Sequence, residues 1–470
     1  MHVIVIGGGI SGLAAAHQLS SAGVRVTVAE GSQRVGGKLR TGHVAGVQTD
    51  LGAESMLARR PEGTDLAKAV GLGDALRPPA VVSSAIWTRG ALRPMPQDHV
   101  MGVPSTAASL AGVLSDAGLA RIARDTELPP PQLGEDIAVG RLVADRMGPE
   151  IVDRLVDPLL GGVYAGDAYR TSMRSALPRL FEAARQHDSL LAAVRALRSA
   201  SPARPGEPVF AGLEGGLGTL PEAVARACRA QGADLLTGAP ATGLRRTARG
   251  WAVSLRDGRS LAADGVVLAV PAEEAARLLA AEAPAAAGEL SAIEYASMAI
   301  VTLAFRREDL PALPRGSGFL VPAVDGRAIK AATFTSSKWD WAAAADPGLF
   351  VLRVSLGRYG DDAPLGWDDQ DLVRAALHDL HEASGLPGRP VDSLVTRWHN
   401  GLPQYAVGHA ARVERIRRYL SALPGLRLAG AAYDGVGIPA CVASGRRAAR
   451  ELLMTLPPGP APGTEAPAGS

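Results

Sequence analysis

The sequence predicts an α/β fold that begins with a parallel sheet, on three observations. A short apolar strand, Val3–Ile6, runs straight into the tight turn Gly7-Gly8-Gly9. An Ala- and Leu-rich helix follows over Ser11–Ala22 and stops at Gly23. A second strand, Val24–Ala29, alternates valine with polar residues and ends at Glu30. Strand, crossover helix and strand in so short a span make one βαβ unit, the start of a dinucleotide-binding (Rossmann-type) domain.

The later elements follow in order. Residues 98–200 carry Ala/Leu/Val periodicity and predict a mostly helical segment, broken at Pro129-Pro130-Pro131. Ser199–Pro208 is small and polar, as a connector would be. Glu214–Ala230 is a Gly-rich turn leading into a helix; Leu235-Leu236, Trp251–Leu255 and Gly265–Pro271 predict strands. Between 276 and 400, strands (Ala299–Phe305, Gly348–Ser355) mix with one clear helix, Asp369–Ser384. The tail, Pro457–Ser470, is mainly Pro, Gly and Ala and predicts disorder.

Composition narrows the function. A chain of 470 residues, 47% hydrophobic, can hold two or three cores. A net charge of +2 gives no reason to expect a nucleic-acid partner or a strongly basic membrane surface. Cys228 and Cys441 lie far apart, so neither a disulfide framework nor a metal cluster is expected. The opening Met1-His2-Val3 lacks the positive start of a signal peptide, and no apolar stretch reaches the length of a membrane span. The expected compartment is the cytoplasm. Lysine is rare: Lys38, Lys68, Lys330 and Lys338 stand against 45 arginines, and the last two lie close together.

The glycine-rich turn carries the first chemistry. In Gly7-Gly8-Gly9-Ile10-Ser11-Gly12, Gly7 permits the turn, Gly9 lets the backbone approach a pyrophosphate, and Gly12 lets helix and strand pack closely. The helix N-terminus offers free N–H groups to phosphates. Glu30, with Gly31 after it, follows at the end of the second strand, where a carboxylate accepts hydrogen bonds from ribose hydroxyls. The next residues select FAD over NAD. Arg34-x-Gly36-Gly37-Lys38-x-x-Thr41 supplies a second close-approach loop and basic charge for phosphate. This pattern resembles the signature of the amine-oxidase-type FAD superfamily. The resemblance makes Asp50-Leu51-Gly52-Ala53-Glu54-Ser55 the next loop over the flavin.

Further blocks extend the likeness along the chain. They are Pro158-Leu159-Leu160-Gly161-Gly162-Val163-Tyr164-Ala165-Gly166-Asp167, Gly215-Gly216-Leu217-Gly218-Thr219-Leu220, and Gly316-Ser317-Gly318-Phe319-Leu320-Val321-Pro322. After them come Lys330-Ala331-Ala332-Thr333-Phe334, Ser337-Lys338-Trp339, Pro403-Gln404-Tyr405-x-x-Gly408-His409, and Gly435-Val436-Gly437-Ile438-Pro439 with Cys441 and Ser444-Gly445. Together they are similar to the bacterial protoporphyrinogen/coproporphyrinogen III oxidases of haem synthesis, over residues 3–455. The resemblance implies a Rossmann-type FAD-binding domain from residues 1–78, 205–272 and 410–455. It implies a mixed α+β substrate domain from 79–97 and 273–409, and an inserted helical domain over 98–204, with 456–470 as a disordered tail. It also places Ala241 at the adenine and Trp398, Val436, Gly437 and Ile438 near the flavin.

The implied reaction removes six electrons from a porphyrinogen in three two-electron steps, with molecular oxygen reoxidising the flavin to give hydrogen peroxide. The cofactor carries the hard chemistry. No triad, metal-ligand cluster or paired-acid motif is visible, and no catalytic base can be named from sequence. A broad apolar macrocycle with acidic arms calls for an apolar pocket with basic groups at its rim. Arg59, Arg60, Lys330, Lys338 and His409 are candidates for the propionates, and Tyr405 for the pocket wall. Two departures matter. Ala440 stands where the family often has Asp before the cysteine, and Gln97-Asp98-His99-Val100-Met101 lacks the arginine of the eukaryotic branch. Both this and the missing anchor favour coproporphyrinogen III; protoporphyrinogen IX, or a substrate of another amine-oxidase-type flavoprotein, is the alternative. A non-catalytic flavin-binding protein is the reading from a different class. The resemblance leaves open a peripheral membrane contact and a transient contact with the next haem-pathway enzyme.

Overall fold

Strand His2–Ile6 is covered on both faces, which is why it is continuously apolar. Val3 and Val5 enter one cluster with the first helix, Ile10–Ser20, and the last, Ile438–Thr455. Ile4 and Ile6, of opposite parity, enter another with Trp251 and the helices Ala272–Leu279 and Pro284–Ser291. Five parallel strands form this sheet, in the order Asp234–Leu236, Arg25–Ala29, His2–Ile6, Gly265–Leu268, Leu426–Leu428. These observations come from a computed structural model that describes residues 1–200, 207–386 and 388–455. The tail 456–470, expected to be disordered, lies outside the described residues, as does 201–206 of the expected connector.

Glycines set the closest approaches in this core. A Cβ on Gly12 would stand 1.9 Å from the Gly7 carbonyl oxygen. A Cβ on Gly445 would stand 2.0 Å from the Ser11 carbonyl oxygen, so the first and last helices cross backbone against backbone there. The Ser444-Gly445 block is therefore a packing requirement.

A second sheet has seven strands, in the order Asp392–Pro403, Tyr295–Arg306, Leu349–Leu356, Ile329–Thr333, Gly318–Leu320, Ala85–Thr88, Ala91–Pro94. The pairing of Gly318–Leu320 with Ala85–Thr88 is parallel and the rest antiparallel. Ala299, Val301, Leu303 and Phe305 bury one face against Leu372, Ala376 and Leu380 of the helix Asp369–Ser384. Met298, Ile300 and Thr302 point to the other face, with their cross-strand partners Trp398, Ser355 and Arg353. That second face is the side that meets the loop 50–55, as shown below.

Residues 107–200 are mainly helical around Leu142, Val143, Leu155 and Phe181. The start of this segment differs from expectation. His99–Val100 and Val103–Pro104 pair as a hairpin, with Met101 and Gly102 both at positive φ (47° and 88°). That is the backbone a two-residue hairpin turn demands, and the helical periodicity conceals it.

Candidate functional site

Four backbone loops converge at one end of the parallel sheet. Gly7–Gly12 links the first strand to the first helix, which has no side-chain cap on its N-terminus. Nothing stands within 4 Å of where a Cβ on Gly9 would be, so the backbone there opens into a cleft. The Gly36 amide donates to the Gly8 carbonyl at 2.8 Å and binds the second loop to the first. Arg34 shapes that loop from within, donating to the carbonyls of Val35, Gly37 and Leu39 at 2.7–3.3 Å. Glu30 accepts from the Gly8 amide (2.6 Å) and the Ser32 amide (2.8 Å). Its carboxylate thus lies beside the glycine-rich turn. Ala241 begins the strand Ala241–Thr247, which pairs antiparallel with Gly250–Leu255, and the Ala239 amide donates to the Glu30 carbonyl at 2.8 Å.

The third loop is held from the second sheet. Arg353 donates to the carbonyls of Asp50 (2.9 Å) and Gly52 (2.6 Å), and pairs with Glu54 at 3.0 Å. Lys338 donates to the other Glu54 oxygen at 2.6 Å and stands 3.5 Å from Ser55 Oγ. Trp398 donates from its indole to the Leu51 carbonyl at 2.8 Å. Buried between two cations, Glu54 is held below the usual carboxylate range. Asp50 accepts the amides of Leu217 and Gly218, which docks the Gly215–Leu220 block onto this loop. Burial pushes its carboxyl up to about 7. Gly52 is compulsory, since a Cβ there would stand 2.2 Å from the Lys38 carbonyl oxygen.

The fourth loop, Gly435–Ile438, enters the last helix. Gly37, Lys38, Ala53 and Gly437 remain open to water. Lys38 has protein on most sides, as a side chain lining a deep cleft would, and desolvation pushes its ammonium below the ordinary lysine range. Its ammonium stands 5.6 Å from the centre of the Tyr295 ring. Burial pushes the Cys228 and Cys441 thiols up to about 11, and both are unpaired, so neither is a reactive thiolate.

Residues 10–453 match the family described as flavin containing amine oxidoreductase. The chain belongs to that family. It is an FAD-dependent oxidoreductase of the family's α/β fold. The coproporphyrinogen III oxidase of Mycobacterium tuberculosis is 39% identical over 458 residues, covering 96% of this chain and 97% of its own. That of Bacillus subtilis is 34% identical, covering 97% and 98%. The crystal structure of a protein from Exiguobacterium sp. 255-15, provisionally assigned as a protoporphyrinogen oxidase, superposes with a TM-score of 0.84. It is 31% identical and covers 96% of this chain and 98% of its own.

Within this flavoprotein, the predicted cofactor residues Gly7, Gly8, Gly9, Ile10, Ser11, Gly12, Glu30, Gly31, Gly37, Lys38, Gly52, Ala53, Ser55, Trp398, Val436, Gly437 and Ile438 fall on or beside the four loops. The Glu54 carboxylate is taken up by Lys338 and Arg353. Arg353 escaped the sequence reading; its signal is an arginine inside the otherwise apolar run Leu349–Leu356. The candidate propionate residues are dispersed. Arg59 and Arg60 are exposed before the helix Pro61–Ala69, where Arg60 pairs with Glu62 at 2.9 Å. Lys338 is already neutralised by Glu54. Lys330 lies buried on the second sheet.

Tyr405 and His409 are not brought into the cleft. Both are 4% exposed, and their rings stack at 4.2 Å. The Tyr405 hydroxyl donates to the Ala431 carbonyl, and His409 Nε2 bonds the Ala432 carbonyl at 3.0 Å. They buttress the segment that leads into the fourth loop. Burial pushes His409 down to about 4, so the fold requires it neutral. Its contribution to stability is complete above pH 6.5 and is lost as pH falls from there through about 4, by up to about 3 kcal/mol. His409→Phe keeps the stack and removes the titration. Thermal melts across this window should fall less steeply for the variant than for the parent protein.

Proposed function

We propose that this protein oxidises coproporphyrinogen III to coproporphyrin III, using FAD and molecular oxygen. One observation carries the substrate assignment. The second sheet turns a floor of small and apolar side chains toward the flavin loop, with basic groups at its two ends. Met298, Ile300, Ala331 and Ser355 form the floor. Arg353 and Lys338 lie at the end nearest Gly52, and Lys330 and Arg358 at the other. Glu54 takes up Arg353 and Lys338, so the free cations lie at the Lys330 and Arg358 end, and an apolar floor that ends in them suits a macrocycle with acidic arms. The relatives named as coproporphyrinogen III oxidases support the same choice.

The four loops fit FAD: they present an open glycine backbone, an uncapped helix start and a carboxylate at one edge. In this reading Gly7–Gly12 receive the pyrophosphate, Glu30 and Gly31 the ribose, and Ala241 the adenine end. Gly37, Lys38, Gly52–Ser55, Trp398 and Val436–Ile438 surround the flavin. When bound, FAD would supply the two-electron redox chemistry between the substrate and oxygen that each of three rounds needs. The chain's own residues orient and desolvate. Trp398 and Met298 close the floor beside Gly52, and Arg353 and Lys338 fix the loop that carries it. Among the described residues no cluster of His, Cys, Asp or Glu could hold a metal, and no helix is long and apolar enough to cross a membrane. We place the protein in the cytoplasm, where any membrane contact is peripheral and the product passes to the next haem-pathway enzyme.

Purified protein should be yellow and, given coproporphyrinogen III in air, should generate porphyrin fluorescence faster than autoxidation. A rate no greater than autoxidation would overturn the assignment. A faster rate with protoporphyrinogen IX would transfer it to that substrate.

A further inference from the structure

Lys330 is a buried cation whose charge no carboxylate among the described residues pairs. It is 8% exposed, yet among the described residues no carboxylate lies within 4 Å of its ammonium. Its ammonium meets the Met298 sulfur at 3.9 Å, a weak acceptor. A buried ammonium without a counter-ion is costly, and natural folds normally pair it or leave it out. Burial, with the Arg358 guanidinium close by, pushes this ammonium down to about 7.

The backbone presents it deliberately. Ile329 pairs with Leu356 and Ala331 with Ser355, so Lys330 is the extra residue of a β-bulge. A second irregularity lies opposite Ala296–Met298, where the strand Asp392–Pro403 carries two extra residues between Trp398 and Leu402. Bulges re-aim side chains and gather beside functional sites. The two meet where Lys330 touches Met298. Met298 is cross-strand partner to Trp398, whose ring packs against Gly52. A continuous line thus runs from the flavin loop through Trp398 and Met298 to Lys330.

A second cation waits beside it. Arg358 donates to the carbonyls of Val321 (3.1 Å) and Ile329 (3.4 Å), the latter adjacent to Lys330. It too has no carboxylate within 4 Å among the described residues; Asp157, Asp361 and Asp379 act on it only from farther away. A cavity of about 260 Å³ opens on the Arg358 side, lined also by Arg170, Tyr295, Tyr359, Asn400 and the carboxylate Asp362, and not by Lys330.

We propose that Lys330 and Arg358 form a two-cation seat for one carboxylate arm of the substrate, and that this seat sets how the macrocycle lies on the floor beside Trp398. The seat rests on the porphyrinogen reading, and it narrows five candidate residues to one, adding Arg358. The geometry distinguishes it from Lys338, whose charge Glu54 already satisfies. A carboxylate docked here supplies the missing counter-charge in a dry site, where charge-assisted hydrogen bonds are strong.

The test is Lys330→Met, with Arg358→Gln as the second variant. Both are compared with the parent holoenzyme for flavin content, melting temperature, oxidation kinetics and binding of coproporphyrin III and its tetramethyl ester, followed by porphyrin fluorescence quenching. Lys330→Met should keep its FAD and melt no lower than the parent, because it removes an unpaired buried charge. It should bind coproporphyrin about 10- to 100-fold more weakly, with KM raised in proportion, and bind the ester as the parent does. Arg358→Gln should weaken coproporphyrin binding in the same sense. Unchanged coproporphyrin binding in both variants, or a lowered melting temperature with unchanged binding in Lys330→Met, would give Lys330 a structural role and overturn the seat. A parent protein that oxidises no porphyrinogen would instead remove the reading beneath it.

Discussion

Gly445→Val is expected to give a protein that purifies without yellow colour, or does not fold at all. The reason is steric and local. At Gly445 the last helix lies on the first so closely that a Cβ would meet the Ser11 carbonyl oxygen at 2.0 Å, its carbon at 3.0 Å and the Ala15 amide at 3.1 Å. All three are backbone atoms of the helix whose N-terminus faces the cleft, so no rotamer relieves the overlap. The helices must separate by an ångström or more. Both are buried along most of their length, and the strand His2–Ile6 lies beneath them. Overpacking of a dense core typically costs 1–3 kcal/mol, and a backbone clash at a helix crossing should exceed about 3 kcal/mol. The same shift moves Gly9–Gly12 and Val436–Ile438, two of the four loops around the cleft. Flavin absorbance per mole of protein and the melting temperature should fall together. A yellow variant with the parent melting temperature would show that the helices are not held as closely as described.

The parts of this site that were legible in the sequence are those fixed by backbone. Gly7, Gly9 and Gly12 with Glu30 announced a nucleotide cradle; the structure puts a backbone clash behind Gly7 and Gly12, while at Gly9 the backbone opens into the cleft. The first βαβ unit and the helix Asp369–Ser384 carried strong local periodicity and lie where it placed them. The side-chain network was much less legible. Arg353, Lys338 and Glu54 are separated by up to 299 positions in the chain and meet only through sheet pairing. Lys338 and Lys330 looked alike as rare neighbouring lysines; one has a carboxylate at 2.6 Å and the other has none, a difference no local pattern encodes. Tyr405 and His409 belong to a conspicuous block that shapes the site from behind, through stacking and two carbonyl contacts. The hairpin at residues 99–104 was hidden because its two positive-φ residues sit in a stretch with helical composition.

The triad around Glu54 supports a second prediction of large effect, and one that separates stability from cofactor binding. Arg353→Met removes a guanidinium that donates to the carbonyls of Asp50 and Gly52 and shares Glu54 with Lys338. Glu54→Gln does the reverse and leaves two cations with no anion between them. Breaking a buried ion pair on one side costs about 3–5 kcal/mol, since the remaining charge stays desolvated. Either variant should therefore melt well below the parent. Replacing the whole triad with apolar residues of similar size, as Glu54→Leu with Lys338→Met and Arg353→Met, removes every buried charge at once. Such replacements are often neutral for stability, so the triple variant should recover most of the lost melting temperature. It should not recover FAD affinity. The carbonyls of Asp50 and Gly52 still lack the Arg353 donors, and the loop 50–55 is then fixed to the second sheet mainly by the Trp398–Leu51 bond. Two lost charge-assisted hydrogen bonds correspond to about 10- to 100-fold weaker FAD binding. Melting curves and FAD titration of the apoprotein read these two effects separately. A triple variant that regained both would reduce the triad to a stabilising pair of bridges, with no hold on the loop that faces the flavin.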